Sequence, residues 1–208
     1  MRTTWRWPRD HDEGDLIVSE MDEVIPALVA AVQEQHATGD HYRDDAIRQA
    51  MEHQAQLALR PGPVRVDVIV DPPWSDGQIN SVQVVTGDRP FLVDTVASCL
   101  LRHGWRVEDV RHPIIGVKRD RGTIEAVGTP GRGGCASESW IHIDVTAPLG
   151  TDIGQAAEQL RDDLCACLDQ VVCATDDWGA MHEAMLRTAE LVSASSGPAD
   201  DRDSSREL

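Results

Sequence analysis

The chain has 208 residues, of which 41% are apolar and 26% charged, and its 36 acidic against 19 basic side chains give a net charge of −17. This length fits one domain with an appendage, and this composition is typical of a globular protein. The negative charge argues against two classes of partner, because the phosphates of a nucleic acid and the headgroups of an anionic membrane would be repelled.

The N-terminal part of the sequence predicts an arm followed by two helices. Residues 1–18 show no hydrophobic period and are predicted to be an extended arm. They lack the apolar stretch of a signal peptide, which predicts a cytoplasmic protein. Apolar residues then recur at helical spacing over 19–36 and again over 44–59. Within 19–60 these two amphipathic helices are predicted to form a hairpin, which needs another surface to pack on.

Residues 64–192 predict an α+β domain with a C-terminal helix. The hydrophobic period changes to two at Val64, and strands and helices then follow one another along the chain. Strands are predicted at 64–70, 79–86, 107–117 and 138–146, and a weaker strand pattern occurs at 123–127. The strand at 107–117 is broken near His112–Pro113. Helices are predicted at 90–103 and 152–170. From Ile79 onward the order is strand, helix, strand, strand, helix and then a possible last strand, which is the ferredoxin-like βαββαβ plan. We expect the strands at 64–70, 79–86, 107–117 and 138–146 to share one mostly antiparallel sheet, with both helices on one face.

The end of this domain has two interpretations. Residues 171–174 are compatible with a short last strand or with the end of the preceding helix. Asp176 and Asp177 favour the start of a last helix, because negative charge stabilises a helix N-terminus. The predicted apolar face of this helix consists of Trp178, Met181, Met185 and Val192. Residues 193–208 almost lack apolar side chains and are predicted to be a disordered tail.

The sheet face opposite the two helices needs a cover. If alternate residues of the strand at 138–146 face the helices, then Trp140, His142 and Asp144 project onto the other face. A large aromatic side chain there is covered either by the N-terminal hairpin or by another copy of the chain. We predict self-association, with Trp140, His142 and Asp144 at the interface.

Four segments of the sequence resemble, in the same order, motifs of one protein family. They are Asp88–Val96 (DRPFLVDTV), Val110–Ile114 (VRHPI), Glu138–Asp144 (ESWIHID) and Asp176–Met181 (DDWGAM). These segments resemble the region ahead of the catalytic core in the large NAD-dependent glutamate dehydrogenases of bacteria. The resemblance covers residues 64–191.

In that family the corresponding region is an ACT-type regulatory domain, and the parent enzyme converts glutamate to 2-oxoglutarate. The resemblance therefore implies a non-catalytic regulatory or assembly module of amino-acid metabolism that holds no cofactor. The implied partners are another copy of the chain or a dehydrogenase catalytic core. The family's catalytic residues lie far downstream of this region, so the resemblance carries none of them onto this sequence.

The resemblance also implies an effector site at the turn between the first strand and the first helix of the ACT-type domain. The candidate ligand-binding residues are Asp88, Arg89, Phe91, Leu92 and Asp94. ACT modules that bind amino acids have glycine after the proline of this turn, where a ligand approaches the backbone. Here Phe91 stands at that position, as it does in the dehydrogenase family, and its phenyl ring would fill the space.

Two alternative functions remain. The first is a stand-alone sensor that binds an amino acid at the same turn. The second is a small enzyme that uses His112 and His142, with Asp144, around a metal ion or as acid and base. The simpler interpretation of these residues is structural. Cys165 and Cys167 lie two apart on a predicted helix, where side chains do not face each other, so we predict no metal site.

Overall fold

The computed structural model describes residues 16–17, 21–35, 44–75, 77 and 79–195. The helices in these ranges are α1 (Met21–Gln35), α2 (Asp44–Ala58), α3 (Leu92–Arg102), α4 (Ile153–Thr175) and α5 (Trp178–Ser195). The strands are β1 (Leu16–Ile17), β2 (Val64–Ile69), β3 (Asn80–Gly87), β4 (Arg106–Arg111), β5 (Ile114–Asp120), β6 (Thr123–Gly128) and β7 (Ala136–Thr146). The chain divides into two compact units, Met1–Val171 and Val172–Leu208, and the whole sheet belongs to the first.

The strands form one antiparallel sheet in the order β1-β6-β5-β7-β3-β2, and β4 pairs separately with β7. Along one side of β7, the first half of the strand pairs with β5 and the second half pairs with β4. The interruption between β4 and β5 falls at His112–Pro113, as predicted. Proline has no N–H for a sheet hydrogen bond, so the pairing is interrupted there, although β4 and β5 keep the same register along β7.

The edge strand beside β3 is β2, which precedes the ferredoxin-like unit in the sequence. Of the two interpretations of residues 171–174, the structure has the helix end, because these residues continue α4, which ends at Thr175. β2 takes the edge position instead and pairs antiparallel with β3 from Val64 to Ile69. The ferredoxin-like prediction is confirmed, and the expected strand at 64–70 supplies the edge of the sheet beside β3.

Helices α3 and α4 pack on the same face of the sheet, as predicted. Their shared core contains Leu92, Val96 and Leu100 of α3, Leu160, Leu164 and Leu168 of α4, and Val82, Ile141 and Ile143 of the sheet. Asp152 caps α4, because its Oδ1 accepts a hydrogen bond from the Gln155 N–H at 3.1 Å. Helix α3 begins at Leu92, two residues later than predicted, because Phe91 has a left-handed φ of 72°.

Helices α1 and α2 pack on the opposite face, where they cover Trp140. The core on this side contains Val24, Leu28 and Val32 of α1, Met51 and Ala55 of α2, and Val85, Ile115 and Trp140 of the sheet. Trp140 is 0% exposed. Of the two covers that the sequence allowed, the structure has the N-terminal helices of the same chain. Residues 36–43, which connect the two helices of the predicted hairpin, lie outside the described residues.

The second unit contains α5, whose predicted apolar side chains are exposed. Trp178 is 43% exposed, Met181 47% and Met185 69%. Of the predicted arm only 16–17 are described, as β1 beside β6, and of the predicted tail only 193–195, as the end of α5. The rest of both segments lies outside the described residues. Among the helices that the structure describes, none is both long and apolar enough to cross a membrane.

Candidate functional site

The turn between β3 and α3 exposes an aromatic residue with a strained backbone at the predicted effector position. Phe91 precedes α3 with φ 72° and ψ 5°. This left-handed conformation costs a residue with a Cβ about 1–2 kcal/mol. Its side chain makes no capping hydrogen bond and is 55% exposed. The Phe91 side chain is therefore accessible to solvent at this turn.

The other candidate ligand residues differ in how far they reach solvent. Asp88 is exposed, and its Oδ1 accepts a hydrogen bond from Ser139 Oγ at 2.7 Å. Arg89 is half-buried, and Asp94 is exposed in the first turn of α3. Leu92 is 2% exposed and packs in the core between the helices and the sheet. The turn thus presents charged groups and an aromatic ring to solvent, whereas Leu92 anchors it.

Ser139 links this turn to His112 through two hydrogen bonds. His112 Nε2 lies 3.0 Å from Ser139 Oγ. Because the hydroxyl proton of Ser139 is donated to the Asp88 carboxylate, the ring nitrogen of His112 is the donor in its own contact. A general base would accept the serine proton, so this order of groups is not that of a Ser–His–Asp triad. Burial lowers the pKa of His112, and the negative charge of Asp88 opposes that shift.

A chain of hydrogen bonds crosses the sheet beneath α2. It runs from His53 Nδ1 to Gln83 Oε1 (2.8 Å) and from Gln83 Nε2 to His142 Nδ1 (3.1 Å). His142 Nε2 then donates to Asp144 Oδ1 (3.0 Å), and Arg111 pairs with the other carboxylate oxygen of Asp144. These residues come from α2, β3, β7 and β4, so the chain of bonds ties one helix to three strands.

The amide of Gln83 sets the protonation of the buried His142 ring. Gln83 Nε2 also donates to the Ala50 carbonyl oxygen at 2.9 Å, which fixes the orientation of the amide. His142 Nδ1 therefore accepts a hydrogen bond and Nε2 carries the proton, so the ring is neutral. Burial lowers the pKa of His142; the hydrogen bond to Asp144 opposes this shift and the charge of Arg111 adds to it.

Asp144 ends this chain as a buried carboxylate. Burial alone would raise the pKa of Asp144, but the hydrogen bond from His142 and the charge of Arg111 outweigh burial and hold it below its usual value. Ser81 Oγ adds a contact to the same carboxylate at 3.4 Å. A small cavity beside this end is lined by Arg111, His142, Pro113 and residues of α1 and α2.

One family model covers the sheet, the turn and the hydrogen-bond chain described above. It is described as "Glutamate dehydrogenase, ACT1 domain" and matches residues 27–164, more than half of the chain. The chain belongs to this family. The match begins inside α1, ends inside α4 and includes the turn at Phe91. The ACT1 domain is a regulatory domain, so the resemblance to the regulatory region of glutamate dehydrogenases is confirmed.

In this ACT1 domain the three residues expected at an interface lie inside the chain. Trp140, His142 and Asp144 are 0%, 5% and 5% exposed. Helices α1 and α2 cover Trp140, and α2 contacts the hydrogen-bond chain that includes the other two. These side chains present almost no surface to a second copy while α1 and α2 are in place.

The two candidate catalytic histidines of the ACT1 domain, His112 and His142, belong to separate hydrogen-bond sets. His112 contacts Ser139, whereas His142 contacts Gln83 and Asp144. Within the described ranges, no group of three or more His, Cys, Asp or Glu side chains could hold a metal ion. The structure therefore does not bring His112 and His142 together at one hydrogen-bond partner.

Two buried amides at the contact between α2 and the sheet, Gln54 of α2 and Gln83 of β3, were not predicted from the sequence. Gln54 Nε2 donates to the carbonyl oxygens of Val84 (3.3 Å) and Ile141 (3.0 Å), and it is 2% exposed. Gln83 is 0% exposed between two valines of β3. An amide inside a run of β-branched residues was the available signal, because such a group is buried only with hydrogen-bond partners.

Proposed function

We propose that this ACT1 domain is a non-catalytic module that regulates an NAD-dependent glutamate dehydrogenase in response to a small effector. The observation that carries the proposal is the exposed and strained turn at Phe91, at the position where the resemblance places an effector. Backbone strain persists only where the surrounding structure imposes it, and it is concentrated at ligand-binding sites. Membership of the ACT1 family supports the regulatory part of the proposal.

The proposed effector is an α-amino acid bound at the β3–α3 turn. Its carboxylate would lie against the backbone N–H groups at the start of α3, where the helix dipole favours negative charge. Its ammonium group would pair with the exposed carboxylate of Asp88, and its side chain would contact Phe91. A turn that joins a helix N-terminus to an exposed anion suits a ligand that carries both charges.

The effector is tested by thermal unfolding of the purified chain with each proteinogenic L-amino acid, beginning with L-glutamate. We expect at least one to raise the melting temperature, since a ligand at 100 times its Kd stabilises the folded state by about 2.7 kcal/mol. Asp88→Asn should abolish the shift. Asp120→Asn, which changes an exposed carboxylate at the end of β5, is the matched control and should keep it. No shift with any amino acid at millimolar concentration would refute the effector.

The non-catalytic part is tested separately. The purified chain, mixed with L-glutamate and NAD⁺, should form no NADH. Turnover by homogeneous protein would refute this part and would leave the binding result unaffected. Effector binding that leaves the rate of the dehydrogenase catalytic core unchanged would favour the stand-alone sensor instead.

We further propose that α5 mediates self-association. Met181 and Met185 lie one turn apart and are 47% and 69% exposed, which supports an assembly role for that side of the helix. Sedimentation should show an oligomer that Met185→Glu weakens at least tenfold. Arg187→Glu, on the polar side of the same helix, is the control and should leave association unchanged. A monomer at high micromolar concentration would refute this role.

A further inference from the structure

Two cysteines on different helices share one arginine. Arg102 Nη2 lies 3.5 Å from the Sγ of Cys99 and 3.4 Å from the Sγ of Cys167. Cys99 and Arg102 lie one turn apart on α3, whereas Cys167 lies on α4. Both sulfurs therefore lie within 3.5 Å of the same nitrogen atom.

The two thiols differ in their access to solvent. Cys99 is 1% exposed, whereas Cys167 is half-buried. Burial raises the pKa of Cys99, and the hydrogen bond from Arg102 opposes that rise. An oxidant in solution therefore reaches Cys167 first, and Cys99 is the second sulfur held beside it.

We propose that Cys99 and Cys167 are a redox modification site, at which a hydroperoxide forms a disulfide between α3 and α4. In the first step the Cys167 sulfur attacks a peroxide oxygen; an S–O bond forms, the O–O bond breaks, and water leaves a sulfenic acid behind. In the second step the Cys99 sulfur attacks the sulfenic sulfur; the S–S bond forms, the S–O bond breaks, and the hydroxyl leaves as water with the Cys99 proton. Two thiols are oxidised, and one hydrogen peroxide is reduced to two waters.

Arg102 is the group that must move for the bond to close. It is exposed in the last turn of α3, so its side chain can turn into solvent and let the sulfurs approach the roughly 2.05 Å of a disulfide. The bond would join α3 to α4 over their common core. It would restrict movement of α3 along the sheet whether or not an amino acid binds at the start of this helix.

The test treats the purified chain with hydrogen peroxide, blocks the remaining thiols with an alkylating agent and analyses the peptides by mass spectrometry. Of five cysteines, we expect two to be lost as free thiols and recovered in a cross-linked pair, Cys99 with Cys167, that dithiothreitol separates. Cys167→Ser should abolish this cross-link. Cys165→Ser is the matched control, because Cys165 is a half-buried thiol on the same helix, and this variant should keep the cross-link.

Three results would overturn the proposal. One is a full set of free thiols after oxidation of the folded chain. Another is a cross-link that excludes Cys99, such as one between Cys165 and Cys173. The third is Cys167 oxidised beyond the sulfenic acid while Cys99 stays a thiol, because the second sulfur would then be out of reach. Each variant is first shown to unfold cooperatively. This control excludes thiols that react only because the variant is misfolded.

Discussion

Arg119 donates two hydrogen bonds to the carboxylate of Glu138, from Nε at 2.6 Å and from Nη2 at 3.1 Å. The same Nη2 donates to the carbonyl oxygen of Ala58 at 3.0 Å, at the end of α2, where helical carbonyls lack intrahelical partners. One guanidinium therefore joins β5 and β7 to a helix terminus. Burial lowers the pKa of Arg65, and the charge of Arg119 adds to the shift, so Glu138 balances two cations.

Replacement of Glu138 by glutamine should destabilise the fold. The two side chains of the pair are 9% and 16% exposed, so the substitution leaves the Arg119 cation with little water and no counter-charge. Breaking a buried ion pair from one side costs about 3 kcal/mol. Urea unfolding should show this loss in the free energy of unfolding of Glu138→Gln.

The control is the same substitution on an exposed ion pair of the same sheet. Lys118 and Glu125 lie on β5 and β6 and are 49% and 45% exposed. Exposed pairs contribute little, so Glu125→Gln should change the free energy of unfolding by less than about 0.5 kcal/mol. Equal losses in the two variants would show that Glu138 is not the buried counter-charge we infer.

Gly116 should be intolerant of any side chain. A Cβ at this position of β5 would lie 2.4 Å from the Gly128 carbonyl oxygen, 2.6 Å from the Thr129 carbonyl carbon and 2.7 Å from the Pro130 nitrogen. All three atoms belong to backbone, which cannot rotate away as a side chain can. Gly116→Ala should therefore lower the free energy of unfolding by about 3 kcal/mol in thermal or urea unfolding.

Gly87 provides the comparison. A Cβ there would meet the end of the flexible Arg89 side chain at 3.5 Å, which is an ordinary contact. Gly87→Ala should change the free energy of unfolding by less than about 1 kcal/mol. If Gly116→Ala lowers the free energy of unfolding as little as Gly87→Ala, the backbone after β6 can move away from β5 at little cost.

Hydrophobic periodicity was sufficient to predict the helices, most of the strands and the face that receives α3 and α4. The alternation from Val64 onwards and at Ile141 and Ile143 places these side chains in the predicted core. Periodicity could not predict what covers Trp140. The strand places Trp140, His142 and Asp144 on one face, and its sequence does not show whether a helix covers that face or solvent reaches it. Nor could periodicity decide whether 171–174 form a last strand or the end of α4, because the strand at 64–70 competes for the same edge of β3.

The polar network was beyond prediction because it depends on strand register. Gln83 stands opposite His142 only in the observed pairing of β3 with β7, and α2 must then bring His53 to the same amide. The sequence predicted a turn between a strand and a helix at Phe91, and the structure has this turn between β3 and α3. The left-handed backbone of Phe91 was not predictable, since a bulky residue disfavours that conformation.

Replacement of Phe91 by glycine should stabilise the chain. Glycine adopts a φ of 72° without strain, and the phenyl ring is 55% exposed, so relief of strain outweighs the small packing loss. We expect a gain of about 1 kcal/mol in the free energy of unfolding. Phe91→Ala removes the ring but keeps the strain, and it should give no gain. A gain in Phe91→Ala as large as that in Phe91→Gly would show that the ring, rather than the backbone, is unfavourable.

Mild acid should destabilise the fold through its buried histidines. The pKa of His142 is below its usual 6.5 in the folded state, so the unfolded chain takes up a proton near that pH that the folded chain does not. This contribution to stability is complete above pH 6.5 and is lost as the pH falls below it, by up to about 1.4 kcal/mol per pH unit. His112 acts with the same sign. Urea unfolding between about pH 7 and pH 5 should show a shallower loss for His142→Gln, and a shallower loss again when His112→Gln is added. If both substitutions leave the dependence of the free energy of unfolding on pH unchanged, the two rings are not held neutral by burial.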